Sequence, residues 1–150
     1  MNKKVDQNTK FLFAKKYKVS IWASQHPYED IPDEYFEESF SKNNTRARNT
    51  WSDNFMMRYF RPEDMETNGA TEGTRPIKHV AGECSFSSSY IEPLMSKAKK
   101  KDMLDVSWLV LLFDYEYTSK ISGVEKDQYL TLLGAFNYDD DADNLFEIEE

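Results

Sequence analysis

The stretch Ser107-Trp-Leu-Val-Leu-Leu-Phe-Asp-Tyr-Glu-Tyr-Thr118 limits what this chain can become more than any other. Leu109, Leu111, Phe113, Tyr115 and Tyr117 alternate onto one face. Trp108, Val110 and Leu112 take the other, continued by Asp114 and Glu116. A period of two over that length is a strand, and two apolar faces place it inside a sheet rather than at its edge. The acids at 114 and 116 predict that its second face leaves the core there, so that both lie nearer solvent than Trp108 and Val110.

The remaining chain supplies partners for this strand. Lys16 to Ser24 alternates as well, with Tyr17, Val19, Ile21 and Ala23 on one side and Lys18, Ser20, Trp22 and Ser24 on the other. That is a half-buried strand ended by Gln25-His-Pro27. Asp30 is an N-cap candidate, Pro32 suits a first helical turn, and Ile31, Tyr35, Phe36 and Phe40 form a helical stripe. A helix is expected from there to Phe40. Ser41 to Thr50 reads as a loop, and Trp51 to Phe60 fits a helix and an edge strand equally. Arg61 to Pro76, rich in Thr, Gly, Glu and Pro, reads as a mobile exposed loop. Ile77 to Phe86 reads as a short strand.

A second helix begins near Ser89, where Ser89 and Glu92 make a capping box, or nearer Pro93. Tyr90, Ile91, Leu94, Met95 and Ala98 are its apolar stripe. Lys97, Lys99, Lys100 and Lys101 suit the negative end of its dipole. Ser119 to Asp127, with Ser122-Gly123, reads as a hairpin turn leading into a return strand over Tyr129 to Tyr138. In that strand Leu130, Leu132, Gly134, Phe136 and Tyr138 share a face, with Gly134 marking a bulge or a close approach. The expected class is α+β: a small mixed or antiparallel sheet with a central strand at about 107–118, a hairpin to 128–138 and a further strand at 16–24, packed with two or three helices. Length predicts one domain over residues 1–150, with an acidic C-terminal tail at 139–150.

Three Trp, nine Tyr and ten Phe argue for a packed core. The single cysteine, Cys84, excludes an internal disulfide and zinc spacings built on several thiols. No targeting segment is legible, and Trp108 to Phe113 is far too short to span a membrane, so a soluble cytoplasmic protein is expected. The formal charge of −8 is unevenly placed. Residues 26–40 carry six carboxylates and residues 137–150 carry seven, with no Lys or Arg in either segment. Without them the remaining chain is net positive. Direct nucleic-acid binding through these patches is disfavoured, because phosphates need clustered cations. A basic protein partner is favoured.

No catalytic constellation stands out. There are two histidines, His26 and His79, and no Gly-rich phosphate loop. A thiol–imidazole pair of Cys84 and His79 is one enzymatic alternative, set against Cys84 as a small buried hydrophobe. Asp139, Asp141, Asp143, Glu147 and Glu150 fall at calcium-loop positions one, three, five, nine and twelve. However, Asn144 occupies the glycine position, and a strand rather than a helix precedes the loop. A calcium-binding module at 139–150 is therefore the alternative function. No metal or other cofactor is expected in the leading reading.

Four segments in order, Val19-Ser-Ile-Trp22, Cys84-Ser-Phe-Ser-Ser-Ser-Tyr-Ile91, Leu111-Leu-Phe-Asp-Tyr-Glu-Tyr117 and Leu133-Gly-Ala-Phe-Asn-Tyr138, resemble the immunity protein 22 family. These are small cytosolic proteins encoded beside polymorphic toxins in bacteria. The resemblance implies a non-enzymatic inhibitor that binds a cognate toxin domain, often a nuclease. It transfers no binding residue by position. Charge supplies the candidates: Glu29, Asp30, Asp33, Glu34, Glu37 and Glu38, with Asp139, Asp140, Asp141 and Asp143 of the tail. Tyr28 and Trp51 are candidate aromatic anchors. Oligomeric state is left open by the sequence.

Overall fold

The computed structural model describes residues 11–40, 46–70 and 72–145. The first part of the chain forms strands β1 (Ala14–Ser24), β2 (Ser39–Phe40) and β3 (Ala47–Arg48), then helix α1 (Thr50–Asn54) and strands β4 (Met65–Gly69) and β5 (Arg75–Pro76). Helices α2 (Ile77–Gly82) and α3 (Ile91–Lys100) follow, then β6 (Asp105–Val106), β7 (Trp108–Tyr115), helix α4 (Ser119–Ser122) and β8 (Thr131–Asn137). Strands β4, β7, β1 and β8 lie side by side in that order as one antiparallel sheet, so the class is α+β. Among the described residues no helix is long and apolar enough to cross a membrane.

Strand β7 is internal, as its two apolar faces require, but its neighbours are β4 and β1. The hairpin expected between 107–118 and 128–138 does not form: β8 pairs with β1. Strand β1 is buried on both faces from Val19 to Ser24, so it needs a neighbour on each side. The intervening residues fold into α4, close with Gly123 in a left-handed conformation (φ 80°), and carry the chain past β1 to its far edge. The buried Ser20 hydroxyl secures this region. It donates to the Tyr115 carbonyl at 2.8 Å and accepts from the Tyr117 amide at 2.8 Å.

The alternation of β7 does not run to its end. Asp114 has φ 62°, and opposite it Tyr17 of β1 has φ 65°. The register runs from Ala14–Tyr115 to Val19–Phe113, so Lys15 to Lys18 all oppose Asp114. This bulge resets the pleat. Tyr115 and Tyr117 therefore join Val110 and Leu112 on one side, not Leu109, Leu111 and Phe113 on the other. Tyr17 leaves the face of Val19, Ile21 and Ala23 and is exposed. A second register shift, beside Gly134 (φ 150°), divides β8. Leu130 and Leu132 pack on the second face while Leu133 and Phe136 pack on the first, so the single face expected for that strand is split. Asp114 and Glu116 are half-buried and more open than Val110, as expected; Trp108 is half-buried too.

One face of the sheet is covered by α2 and α3. Its core is mainly aliphatic, built from Val19, Ile21, Leu109 and Leu111 against Ile77, Val80, Ile91, Leu94 and Ala98. The other face is aromatic. Trp22, Trp51, Phe55, Phe60, Tyr115 and Tyr117 are buried there, with Trp22 edge-on to Trp51 at 5.1 Å and to Phe55 at 5.7 Å. Its cover is α1 and short turns. Asn49 caps α1 by accepting from the Ser52 amide at 2.8 Å, while Ser52 accepts from the Asn49 amide at 2.9 Å.

Several local expectations change. Met65 to Gly69, inside the expected loop at 61–76, is an edge strand. Its residues are only partly buried at the sheet edge, so no strict apolar alternation is required of them. Gly69 lets β7 approach: a Cβ there would strike the Trp108 ring and lie 2.6 Å from the Ser107 carbonyl oxygen. Ile77 to Phe86 opens as a helix rather than a strand, with Ile77, Val80 and Ala81 on its buried side and Cys84, just past its end, in the same core. Helix α3 starts at Ile91 without a side-chain cap. Ser89 lies in a 3-10 turn over Ser87–Ser89, and its hydroxyl donates to the Phe86 carbonyl at 2.7 Å instead of capping.

Candidate functional site

The helix expected from Asp30 to Phe40 is replaced by two 3-10 turns, Tyr28–Asp30 and Asp33–Tyr35, each preceded by a proline. Pro32 forces Ile31 out of the helical region, to φ −89° and ψ 119°. Each turn closes on a proline carbonyl: the Asp30 amide donates to Pro27 at 2.9 Å and the Tyr35 amide to Pro32 at 3.0 Å. The predicted apolar stripe survives in part. Ile31 and Tyr35 are buried and Phe36 is half-buried, while Phe40 is exposed.

Asp127 anchors this segment to the sheet. Its carboxylate accepts from the Tyr35 hydroxyl and from Asn54 Nδ2 at 3.0 Å, and also takes the Tyr129 and Leu130 amides at 2.9 Å each. Burial first, and then the hydrogen bond to Asp127, push the Tyr35 phenol far above its usual range. Behind the segment, Tyr28 and Phe36 pack on Trp108 at 4.8 and 4.9 Å. Trp51, proposed as an anchor, has no exposed surface; it touches Phe36 from inside at 6.0 Å and Phe60 at 5.3 Å.

The outer side carries Tyr28 and the six carboxylates Glu29, Asp30, Asp33, Glu34, Glu37 and Glu38, all exposed. Among the described residues none of the six is in an ion pair. Tyr28, Ile31, Phe36, Asp33, Glu34 and Glu37 surround a hollow of about 380 Å³ with an apolar floor and an acidic rim. Of the seven predicted site residues from 28 to 38, the hollow brings together Tyr28, Asp33, Glu34 and Glu37, while Glu29, Asp30 and Glu38 are exposed on the same segment outside its lining.

The tail acids lie elsewhere. Tyr28 packs at the Trp108 end of β7, whereas Tyr138, just before the tail, donates its hydroxyl to Asp114 near the other end at 2.6 Å. Those ends are about 20 Å apart at the rise of a strand. Residues 139–145 are held on the serine turn. The Asp139 amide donates to Ser89 Oγ at 3.0 Å, the Ser88 amide and hydroxyl donate to the Asp143 carbonyl at 3.1 and 2.7 Å, and the Leu145 amide donates to Ser87 Oγ at 2.7 Å. The exposed carboxylates of Asp139, Asp140 and Asp141 lie within 4.8 Å of one another. Asp143 presents its carbonyl to Ser88, and Glu147 and Glu150 of the calcium-loop pattern fall outside the described residues.

Cys84 does not have the surroundings of a nucleophile. It is fully buried in the helix-backed core, its Sγ contacts the Val80 carbonyl at 3.5 Å, and burial, reinforced by Glu66 and Glu83, pushes the thiol well above its usual range. A thiol held protonated is a poor attacking group. His79 is exposed.

A second hollow, of about 410 Å³, was not anticipated from the sequence. Asp64, Glu66, Phe86, Phe113, Asp114 and Tyr138 line it. Its acids lie on β4, on the turn before it and at the β7 bulge, which sequence periodicity assigns to a loop and a continuous strand.

A family model described as Immunity protein 22 matches residues 19–139. All four segments singled out in the sequence lie within that span. No curated protein and no solved structure matches the chain.

Proposed function

The chain belongs to the immunity protein 22 family, and from that premise we propose that it binds and neutralises a cognate bacterial toxin domain through the acidic surface at residues 28–38. The family assigns a toxin-immunity role; the surface is our inference. One observation carries it: six exposed carboxylates, unpaired among the described residues, stand on residues 29–38, and three of them, Asp33, Glu34 and Glu37, line a hollow with Tyr28, Ile31 and Phe36. Such a surface suits a basic partner. Carboxylates on the rim steer encounter, with rates toward about 10⁸ M⁻¹s⁻¹ at low salt, while apolar contact in the hollow slows release.

A nuclease is the toxin class whose chemistry fits best, because it must offer a cationic cleft to phosphates. In this reading the protein is an inhibitor, not an enzyme, and works in the bacterial cytoplasm where the toxin would act. Tyr28 is the exposed anchor, and Trp51 acts from below by holding Phe36. The tail acids Asp139, Asp140, Asp141 and Asp143 strengthen the negative field from the other end of the sheet rather than entering the same contact.

The test is the triple charge reversal Glu34→Lys, Glu37→Lys and Glu38→Lys, assayed by binding kinetics against the toxin domain encoded beside the gene. The association rate and its salt dependence should both fall, roughly tenfold or more at low salt. Unchanged kinetics and protection would move the interface to another face.

A further inference from the structure

The second hollow combines two walls of different chemistry. One is a cluster of three rings. Phe86 stacks on Tyr138 at 5.5 Å, and Phe113 meets Phe86 edge-on at 5.8 Å and Tyr138 at 5.0 Å. The other is anionic, formed by Asp64, Glu66 and Asp114. Its size lies within the range of small-ligand pockets, about 300–1,000 Å³. Aromatic faces beside carboxylates attract a flat cation, which gains ring stacking and paired hydrogen bonds together.

Asp114 is fixed in advance. Its Oδ1 accepts from the Tyr17 amide at 2.9 Å and from the Tyr138 hydroxyl at 2.6 Å. Glu66 accepts from the Ser85 amide at 3.2 and 3.3 Å, which ties the β4 edge to the turn that carries Phe86. Two cations outside the lining already pair with these acids. Lys16 Nζ is 3.7 Å from Asp114 Oδ2 and Arg61 Nε is 3.8 Å from Asp64 Oδ2, distances of ion pairing rather than of hydrogen bonds. A carboxylate has about four acceptor positions, so each of the three retains capacity for a further donor. The Asp64 carboxyl is raised from its usual value mainly by burial; Arg61 opposes the rise, and Asp114 and Glu63 add to it.

We propose that this hollow is a receptor for an arginine side chain of a partner protein, its guanidinium lying against the Phe86–Phe113–Tyr138 wall and donating to Glu66, Asp64 and Asp114. Lysine fits less well, because an ammonium neither stacks as a plane nor donates as a fork. Only the identity of the protein delivering the arginine rests on the toxin-binding reading; the pocket chemistry stands apart from it.

The test uses the whole chain and the probe N-acetyl-arginine amide, with N-acetyl-lysine amide as comparison, followed by NMR of the aromatic and backbone resonances. The expected result is a saturable shift of Phe86, Phe113 and Tyr138 at millimolar arginine probe, with weaker binding of the lysine probe. Glu66→Gln keeps an acceptor for the Ser85 amide but removes the charge, and should weaken binding several-fold. Phe86→Leu leaves the carboxylates in place and should weaken it roughly two- to fivefold, the size of a cation–π contact. Thermal denaturation of both variants establishes that they are folded. Absence of saturation, equal response to both probes, or unchanged binding in both folded variants would overturn the proposal. Because the probe is not the toxin, a toxin that binds elsewhere leaves this result unaffected.

Discussion

The two faces of the central sheet are built by different means. On one, α2 and α3 lay regular apolar stripes across β1 and β7, and the core is filled mainly by aliphatic side chains. On the other, the cover is α1 and a chain of turns, and the space is filled by rings: Trp22, Trp51, Phe55, Phe60, Tyr115 and Tyr117. A helix brings one side chain to the core at every third or fourth residue. A turn brings only one or two in all, so each must be large. The turns also free their outer residues from any periodic constraint, and that is where the acids of residues 28–38 collect. The face with the less regular cover is the one that carries the acidic surface proposed for a partner.

Removal of the central ring should give the largest effect. Trp22→Ala should cost roughly 3–5 kcal/mol in urea denaturation, as large buried aromatics do. A loss under about 1 kcal/mol would mean that the turn-backed face is not a packed core. On the opposite face Leu94→Ala should cost roughly 2–5 kcal/mol. If it exceeded Trp22→Ala by a clear margin, the order of the two faces would be reversed.

Titration sharpens the contrast without mutation. Burial pushes the Tyr115 and Tyr117 phenols up to about 12. Their unfolded values lie near 10, so the stability they contribute is complete below about pH 10 and is lost as pH rises toward about 12. Phenolate absorbance and denaturation recorded over that window should move together. An early phenolate signal with no loss of stability would show that these rings are wet. Asn49→Ala, which removes the cap of α1, should cost about 1 kcal/mol. The smallest effect belongs to the outer acids: Glu34→Lys with Glu37→Lys and Glu38→Lys should leave stability within about 0.5 kcal/mol per site. A large loss there would mean that the patch holds the fold together rather than facing a partner.

Much of this architecture was legible. Val19, Ile21, Ala23, Leu109 and Leu111 alternate as a buried face must, and Leu94 and Ala98 recur as a helix requires. Ile77, Val80, Ala81 and Cys84 carry the same helical spacing, but over a helix of six residues that signal competes with a short strand. The acidic segment at residues 28–38 was legible as composition and not as shape. Asp30, Asp33 and Glu34 suit a helix start as well as they suit exposed turns, and Pro32 fits the first turn of one and interrupts the other. The second hollow was not legible, because Glu66 and Asp114 come to line one hollow only through the β4–β7 ladder and its neighbouring bulge.

Alternating and helical apolar patterns determined that this chain forms a sheet with helices, that β7 lies inside it, and that acids cluster in two segments. Those signals are local: each follows from the pleat or the helical turn acting on residues a few positions apart. Pairing order, the change of face at Asp114 and Gly134, and the separation of the two acidic segments by the length of β7 were decided by tertiary structure. They depend on which strand satisfies both edges of β1, and no short-range preference in the chain encodes that choice.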